Sequence, residues 1–240
     1  MLRAILVLLL VLVSFALLST ASSKSAELPI FNGQTLEGWT YNHGSPITSG
    51  WEVVDGMIHL DPDESHREGQ RVGNIITVRE FENFDLSFEW KIAKGGNSGL
   101  KYRVRDFDGD TRGFEYQICD DLNYPKLLTP RTSAGSLYDL YEPNSEKQLL
   151  PVGEFNKSRI VVKDNQIQHW LNGRLIVSAT VGSEDWKKRV SFSKFADLPE
   201  FGHNLKGKIM LTDHGSEVWY RKFELVEFLS DTKKPQDVSR

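Results

Sequence analysis

The chain is 240 residues long, with 39% hydrophobic and 26% charged residues and a formal net charge of -4. That length and balance suit one globular domain with a sizeable core, and mild acidity without a sustained Lys/Arg run argues against a nucleic-acid partner, whose phosphates need a basic stripe. The single cysteine, Cys119, excludes an internal disulfide and makes a cysteine-built zinc cluster implausible.

Residues 1–21 carry an early positive charge at Arg3, an apolar run from Ala4 to Leu18 and then small residues, the layout of a secretory signal peptide cleaved after Ala21. The run is shorter than the ~20 residues that span a bilayer. The mature protein is therefore expected to be exported, periplasmic or extracellular, with no stable membrane insertion. Residues 22–27 read as a linker, 28–229 as the domain, and 230–240 as a charged tail.

The segment LPIFNGQTLEGW, from Leu28 to Trp39, places Asn-Gly and Glu-Gly turn signals between apolar anchors and reads as a strap. Trp51 to Leu60 reads as a hairpin about Asp55-Gly56, Asp61 to Arg71 as a polar surface loop, and Ile75 to Val78 as a strand. The most informative stretch is Phe84 to Asp121, which alternates strictly. Phe84, Leu86, Phe88 and Trp90 point one way on a first strand, Leu100, Tyr102 and Val104 on a second, and Phe114, Tyr116 and Ile118 on a third. If the three pair, their other face gathers Glu89, Arg103, Glu115 and Gln117, either as solvated surface or as the floor of a polar groove.

Pro125, Pro130 and Pro143 then forbid a long helix, leaving a loop with one short strand, Ser136 to Leu140. Arg159 to Thr180 reads as three antiparallel strands with turns at Asp164-Asn165 and Asn172-Gly173. Ser183 caps a short helix to Lys188. Gly207–Thr212 and Val218–Phe228 close the domain as two strands joined by Asp213-His214-Gly215. Many short strands, regular turn signals and no long helix predict an all-β fold, a single jelly-roll β-sandwich.

Several standard chemistries fail on spacing. Gly96-Asn97-Ser98-Gly99 lacks the glycine placement and following helix of a nucleophile elbow. Asp106, Asp108 and Asp110 begin like a calcium loop, but Thr111 and Gln117 stand where Gly and Glu are needed. Glu115 is the obvious first carboxylate of a glycosidase pair, with Glu89, Asp120 and Asp213 as candidates for the second. His214 sits in a strand-to-strand turn, and histidine as a residue type can move a proton in either direction near neutral pH. His169 and Trp170 read as a surface histidine beside a core tryptophan, with a sugar-stacking pair as the alternative.

The succession LPIFNGQTLEGW, WEVVDGMI, FDLSFEWKIAKGGNSGLKYRV, FEYQICDD, GEFNKSRIVV, HWLNG, SKFADLPEFG and KGKIMLTDHG resembles the 3-keto-disaccharide hydrolase domain family over nearly all of Leu28 to Phe228. The resemblance implies a concanavalin A-like jelly roll and cleavage of glycosides whose C3 hydroxyl is oxidised to a ketone. It points to Asn97, Ser98, Arg103, Glu115, Gln117, Asp120, Lys194, Asp213 and His214 as shared polar positions. Phe155 stands where the family usually has Trp, Thr212 where it usually has Gln, and Tyr220 to Phe223 in place of its closing element.

A ketone at C3 acidifies the hydrogen at C2, so the aglycone can leave from C1 by elimination. Such a step needs a base, a group that stabilises the enolate and an acid near the leaving oxygen. The expected proton-transfer pair is Glu115 and His214, oriented by Asp120 or Asp213, with Asn97, Arg103, Gln117 and Lys194 contacting the enolate and hydroxyls. A divalent metal held by His214 and nearby acids is the alternative device, and no cofactor is otherwise expected. A non-catalytic, lectin-like carbohydrate-binding module is the competing function. The sugar, the aglycone and the oligomeric state are left open.

Overall fold

The computed structural model describes residues 29–65, 72–107, 109–198 and 200–228. The expected signal peptide, linker and tail lie outside the described residues. Strands follow in the order β1 (Trp39–Tyr41), β2 (Trp51–Val54), β3 (Met57–Leu60), β4 (Ile75–Thr77), β5 (Phe84–Ile92), β6 (Asn97–Phe107), β7 (Asp110–Cys119), β8 (Asn156–Lys163), β9 (Gln166–Leu171), β10 (Arg174–Thr180), β11 (Lys208–Leu211) and β12 (Val218–Glu227). Among the described residues two short α-helices, α1 (Pro62–Ser65) and α2 (Glu184–Ser191), and a 3-10 turn at Pro130–Thr132 interrupt them. Among the described residues no helix is long and apolar enough to cross a membrane.

The strands form two facing antiparallel sheets, a jelly-roll sandwich: a five-stranded one ordered β1-β4-β11-β6-β7 and a seven-stranded one ordered β10-β9-β8-β5-β12-β3-β2. The expected hairpins appear at Asp55-Gly56, Asp164-Asn165 and Asn172-Gly173, where Asp55, Asp164 and Asn172 take positive φ ahead of their partners. Ser183 caps α2 by accepting from the Trp186 amide at 3.1 Å. The expected strand over Ser136–Leu140 is reduced to isolated bridges, Tyr116↔Leu137 and Leu137↔Tyr141.

One expectation is corrected. β5 does not pair with β6; it pairs with β8 and β12 in the seven-stranded sheet, while β6 and β7 pair in the other. The Ala93–Gly96 corner carries the chain across the sandwich, with Gly95 at φ 71°. Alternation identifies which side chains face the core but not which strand lies beside which. Glu89 therefore sits on the outside of the opposite sheet from Glu115, bound by Arg221 at 2.8 Å and Lys222 at 3.1 Å.

Between the sheets lies an aromatic core in which Phe88 stacks on Phe223 and meets Tyr116 edge-on. Each large apolar side chain fully buried there contributes roughly 1.5–3 kcal/mol. Polar pins cross the same core. Tyr102 Oη lies 2.9 Å from His169 Nε2. Ser158 Oγ donates to Tyr116 Oη at 2.8 Å while accepting from Trp90 Nε1 at 2.8 Å, and Ser98 Oγ lies 2.8 Å from Tyr220 Oη. Buried polar groups must be paired, and here the pairing locks β6 and β7 to the opposite sheet at residues whose neighbours in sequence project outward.

His169 is a core residue, 0% exposed, and Trp170 is the partly exposed one, the reverse of the expected orientation. Burial pushes its imidazole down to about 4, against opposing hydrogen bonds from Gly135 and Ser136. An unfolded histidine binds its proton near ~6.5, so between about 6.5 and 4 the unfolded chain holds more protons than the folded one. Stability is therefore expected to fall as pH drops through that window, by roughly 3 kcal/mol in total. Denaturant titrations at several pH values test this. His169→Asn should flatten the dependence, and an unchanged slope in that variant would assign the acid sensitivity to other groups.

Candidate active site

The outer face of the five-stranded sheet carries the polar groups. On β6 and β7 the register sets Lys101 across from Glu115 and Gly99 across from Gln117. The chain after β7 returns along its edge, with the Tyr138 amide donating to Glu115 O at 3.0 Å and the Gln117 amide to Ser136 O at 3.2 Å. The bridge Tyr116↔Leu137 thus places Tyr138 beside Glu115 and Ser136 beside Gln117, on the face away from the core. β11 completes the rows on the other side, where Met210 adjoins Lys101 and the Thr212 amide donates to Gly99 O at 3.0 Å. One row reads Met210, Lys101, Glu115, Tyr138; the next reads Thr212, Gly99, Gln117, Ser136.

Glu115 is the centre of this surface. It is 5% exposed, its nearest cation is Lys101 Nζ at 3.9 Å, and its carboxylate accepts no hydrogen bond among the described residues. It lies over Gly99, where a Cβ would come within 2.4 Å of Glu115 Oε1. A side chain at position 99 would occupy the carboxylate's place.

Lys194 joins from the segment after α2. Its backbone amide is held by Asp139 Oδ2 at 2.7 Å, and its Nζ lies 4.1 Å from the centre of the Tyr138 ring. The residue as a whole is exposed, yet loss of water around the ammonium pushes it below the usual lysine range; Glu115 opposes that shift, while Lys101 and Arg112 add to it. Burial, and then the Glu115 charge, raises the Tyr138 phenol above its ordinary value. These shifts have one source, a half-dry cluster in which a carboxylate, two ammonium groups and a phenol act on each other.

The amides flank it. Gln117 Nε2 donates to Asn97 Oδ1 at 3.0 Å, and Asn97 Nδ2 reaches Tyr124 Oη at 3.4 Å. The Asn97 amide donates to Ser216 Oγ at 3.0 Å, which ties the turn bearing His214 to this edge. His214 itself is partly exposed in that turn. Asp213 builds the turn: its carboxylate accepts from the Gly73 amide at 3.1 Å and the Gly215 amide at 2.8 Å.

Two expected site residues have other tasks. Asp120 accepts from the amides of Gly95, Leu122 and Asn123 and from Asn123 Nδ2, all within 3.2 Å. Burial alone would raise its carboxyl, and those bonds outweigh it and hold the group below the usual carboxylate range. It fixes the turn that presents Tyr124 rather than orienting Glu115. Arg103 is displaced by a one-residue β-bulge between Tyr102 and Arg105, at which it adopts φ 49°. Its guanidinium, 1% exposed, donates to Asp164 O at 2.6 Å and Glu82 O at 3.5 Å, bridging to the β8–β9 turn of the other sheet.

The structure thus brings Glu115, Lys194, Gln117 and Asn97 together, sets the His214 turn at their edge, and removes Arg103 and Asp120. It adds Lys101, Tyr138, Tyr124 and Gly99. Lys101 shares the alternation phase of Asn97 and Gly99 and so was within reach of sequence reasoning. Tyr138 and Tyr124 lie in irregular chain with no periodic signal. Among the described residues no cluster of three or more His, Cys, Asp or Glu could hold a metal. Around Glu115 the neighbours are ammonium groups, a set that repels a divalent cation instead of binding one.

Residues 27–226 match the family described as the 3-keto-alpha-glucoside-1,2-lyase-like domain. A Bacteroides thetaiotaomicron protein named 3-keto-disaccharide hydrolase is 29% identical, the match covering 87% of this chain and 83% of that protein. A crystal structure from Parabacteroides distasonis, of a protein provisionally called a glycosyl hydrolase, superposes with a TM-score of 0.77 at 34% identity, covering 85% of this chain and 94% of the other. A second P. distasonis structure with the same provisional description gives 0.61 at 25% identity, covering 85% and 100%.

Proposed function

The chain belongs to the 3-keto-alpha-glucoside-1,2-lyase-like family, and from that membership we propose that it cleaves the glycosidic bond of 3-keto glycosides or disaccharides by elimination across C1 and C2, followed by hydration. The observation that carries this reading is the Glu115 carboxylate, nearly buried, accepting no hydrogen bond among the described residues and faced by Lys101. A retaining glycosidase would pair it with a second carboxylate ~5.5 Å away. Here its partners are cations and a phenol, which suit an anion forming next to the base.

In the proposed sequence Glu115 takes the proton from C2, and the electron pair moves toward C3 to give an enolate. Lys194 and Lys101 stabilise the oxygen at C3, an arrangement most effective in a site of low water content. The enolate then expels the aglycone from C1, and the leaving oxygen takes a proton from His214, whose turn is anchored at Asn97. Gln117 and Asn97 supply fixed amide groups for hydroxyls. Water adding at C1, with a proton returned to C2, yields the free 3-keto sugar. Export, read from residues 1–21, would place this reaction in a periplasm or outside the cell, which cell fractionation of the full chain would check.

The test is release of a chromogenic aglycone from a 3-keto glucoside beside its unoxidised parent. Release from the keto compound alone supports the proposal. Binding of oligosaccharides with no release from either would favour the lectin-like alternative.

The ammonium of Lys194 should also mark the pH profile. Since desolvation lowers it, activity is expected to decline on the alkaline side at a pH below the usual lysine range. Lys194→Arg, which stays charged, should move that limb upward. A limb that does not move would remove Lys194 from the enolate role.

A further inference from the structure

The outer face of the seven-stranded sheet, on the side of the sandwich away from Glu115, carries a groove of about 400 Å³ that the proposed reaction does not use. That volume falls within the range of about 300–1,000 Å³ usual for small-molecule sites. The strand register explains why the groove forms. One row across β12, β5, β8 and β9 reads Glu224, Ser87, Arg159, Trp170, and the next reads Arg221, Glu89, Lys157. Ser87 is the small residue among larger ones, so the surface dips there. Trp170 lines one side, and Lys222, which takes φ 53° at the bulge of β12, lines the other.

Trp170 decides what the groove can hold. A stacking pair of His169 and Trp170 is excluded because His169 lies in the core, but Trp170 is left partly exposed. Its Nε1 donates to Gln168 Oε1 at 3.1 Å, so the indole offers the groove a ring and not a hydrogen bond. Neighbouring rings are already covered. Trp219 stacks on His59 at 5.0 Å and takes Lys91 Nζ at 3.8 Å, while Phe155 has Arg221 at 3.6 Å and Lys91 at 5.3 Å. Trp170 has a single cation among the described residues, Arg159, at 5.4 Å. Fixed at its N–H, the ring gives up little rotamer freedom to a ligand.

The polar lining selects a ligand without charge. Arg159 spends Nε and Nη2 on Asp85, at 2.7 and 2.5 Å, and Glu89 accepts from Arg221 and Lys222. The Arg159 Nη1 donors, the Lys157 ammonium, Ser87 Oγ and the Glu224 carboxylate make no hydrogen bond among the described residues. An anion would meet Glu89 and Glu224, and a cation would meet Lys157 and Arg159. A polyol can accept from the bases and donate to the acids. A glucopyranose ring with equatorial hydroxyls is such a polyol, and its axial C–H bonds make both faces apolar enough to lie on an indole.

We propose that this groove is a second, non-catalytic saccharide site, in which a glucopyranose unit of an oligosaccharide packs on Trp170 and places its hydroxyls on Ser87, Lys157 and Glu224. It goes beyond the reaction proposed above and takes no part in it; it holds a glycan on the face opposite Glu115.

The test is calorimetric titration of the purified protein with maltoheptaose and, separately, with cellopentaose. Binding of at least one is expected, weakened at least about tenfold in Trp170→Ala. Trp170→Phe should restore most of it, because ring surface and not the indole N–H makes the contact. Ser87→Gln, which fills the dip without touching the core, should weaken binding to a similar extent and serves if Trp170→Ala folds poorly; melting temperature controls both. Glu115→Gln should bind as the wild type does, which separates the groove from the catalytic face. Binding of neither oligosaccharide by the wild type would overturn the inference. So would an affinity unchanged in Trp170→Ala and Ser87→Gln, or lost in Glu115→Gln. Failure to cleave the 3-keto glucoside, with this binding intact, would instead overturn only the preceding reading of the catalytic face.

Discussion

Glu115→Gln is expected to lower keto-dependent aglycone release by at least about 10³-fold while leaving the fold in place. General base catalysis alone is worth about 10²–10⁴-fold, and the variant also removes the negative charge that Lys101 faces at 3.9 Å. The glutamine has nearly the same shape, so packing over Gly99 is retained. Stability should change little, since the native carboxylate accepts no hydrogen bond from the described residues that the amide would forfeit. Steady-state kinetics on the keto substrate, alongside thermal unfolding, separates the two. A loss of less than about tenfold in kcat would show that another group removes the proton.

Gly99→Ala is the second large effect and the more discriminating one, because nothing chemical is removed. The added methyl would sit 2.4 Å from Glu115 Oε1, inside contact distance. The obstructed atom is the far end of a flexible side chain, so the carboxylate moves and the backbone does not. Gly99 does not adopt positive φ, and alanine is acceptable in this strand; stability is expected to change by no more than about 1 kcal/mol. Displacing a catalytic group by about 1 Å can cost about 10²-fold, and that is the expected fall in kcat. Gly113 offers the contrast: a Cβ there meets Tyr102 O at 2.7 Å, a backbone atom that cannot step aside. Gly113→Ala should lose stability first. Unimpaired kcat in Gly99→Ala would place the base elsewhere.

The two variants rest on different layers of the molecule. Glu115 was legible from the chain because an acid at an outward position of a strand is visible in a period of two. Alternation alone did not separate it from Glu89, which shows the same pattern and lies on the other sheet, neutralised by Arg221 and Lys222; the family resemblance did. Gly99 had no reading as a functional position. What makes it one is the register that sets β6 beside β7.

The bulge at Arg103 shows the same limit from the other side. By alternation Arg103 belongs with Lys101 on the site face, and one extra residue in β6 sends its guanidinium to Asp164 and Glu82 instead. No residue in KYRVRD marks that insertion, because a β-bulge can carry any side chain whose backbone the surroundings will hold. His169 was misread for a related reason. Its strand has apolar or aromatic groups in both phases, and the inward phase was decided by Tyr102 and Gly135, which supply its two hydrogen bonds.

By itself the sequence determined the all-β class, the hairpins at Asp55-Gly56, Asp164-Asn165 and Asn172-Gly173, the cap at Ser183, and the inward phase of β5, of β7 and of β6 as far as Tyr102; past the bulge Val104, expected inward, packs with Ile76 and Met210 on the other face. Each depends on residues close in the chain, through turn conformations or side-chain alternation. Only the tertiary structure decided that β5 lies opposite β6, that Tyr138 and Ser136 return beside Glu115 and Gln117, and that Lys194 closes over the cluster. Those choices are made by packing between segments far apart in sequence, where burial of the two sheets against each other selects one strand order among several with the same local pattern.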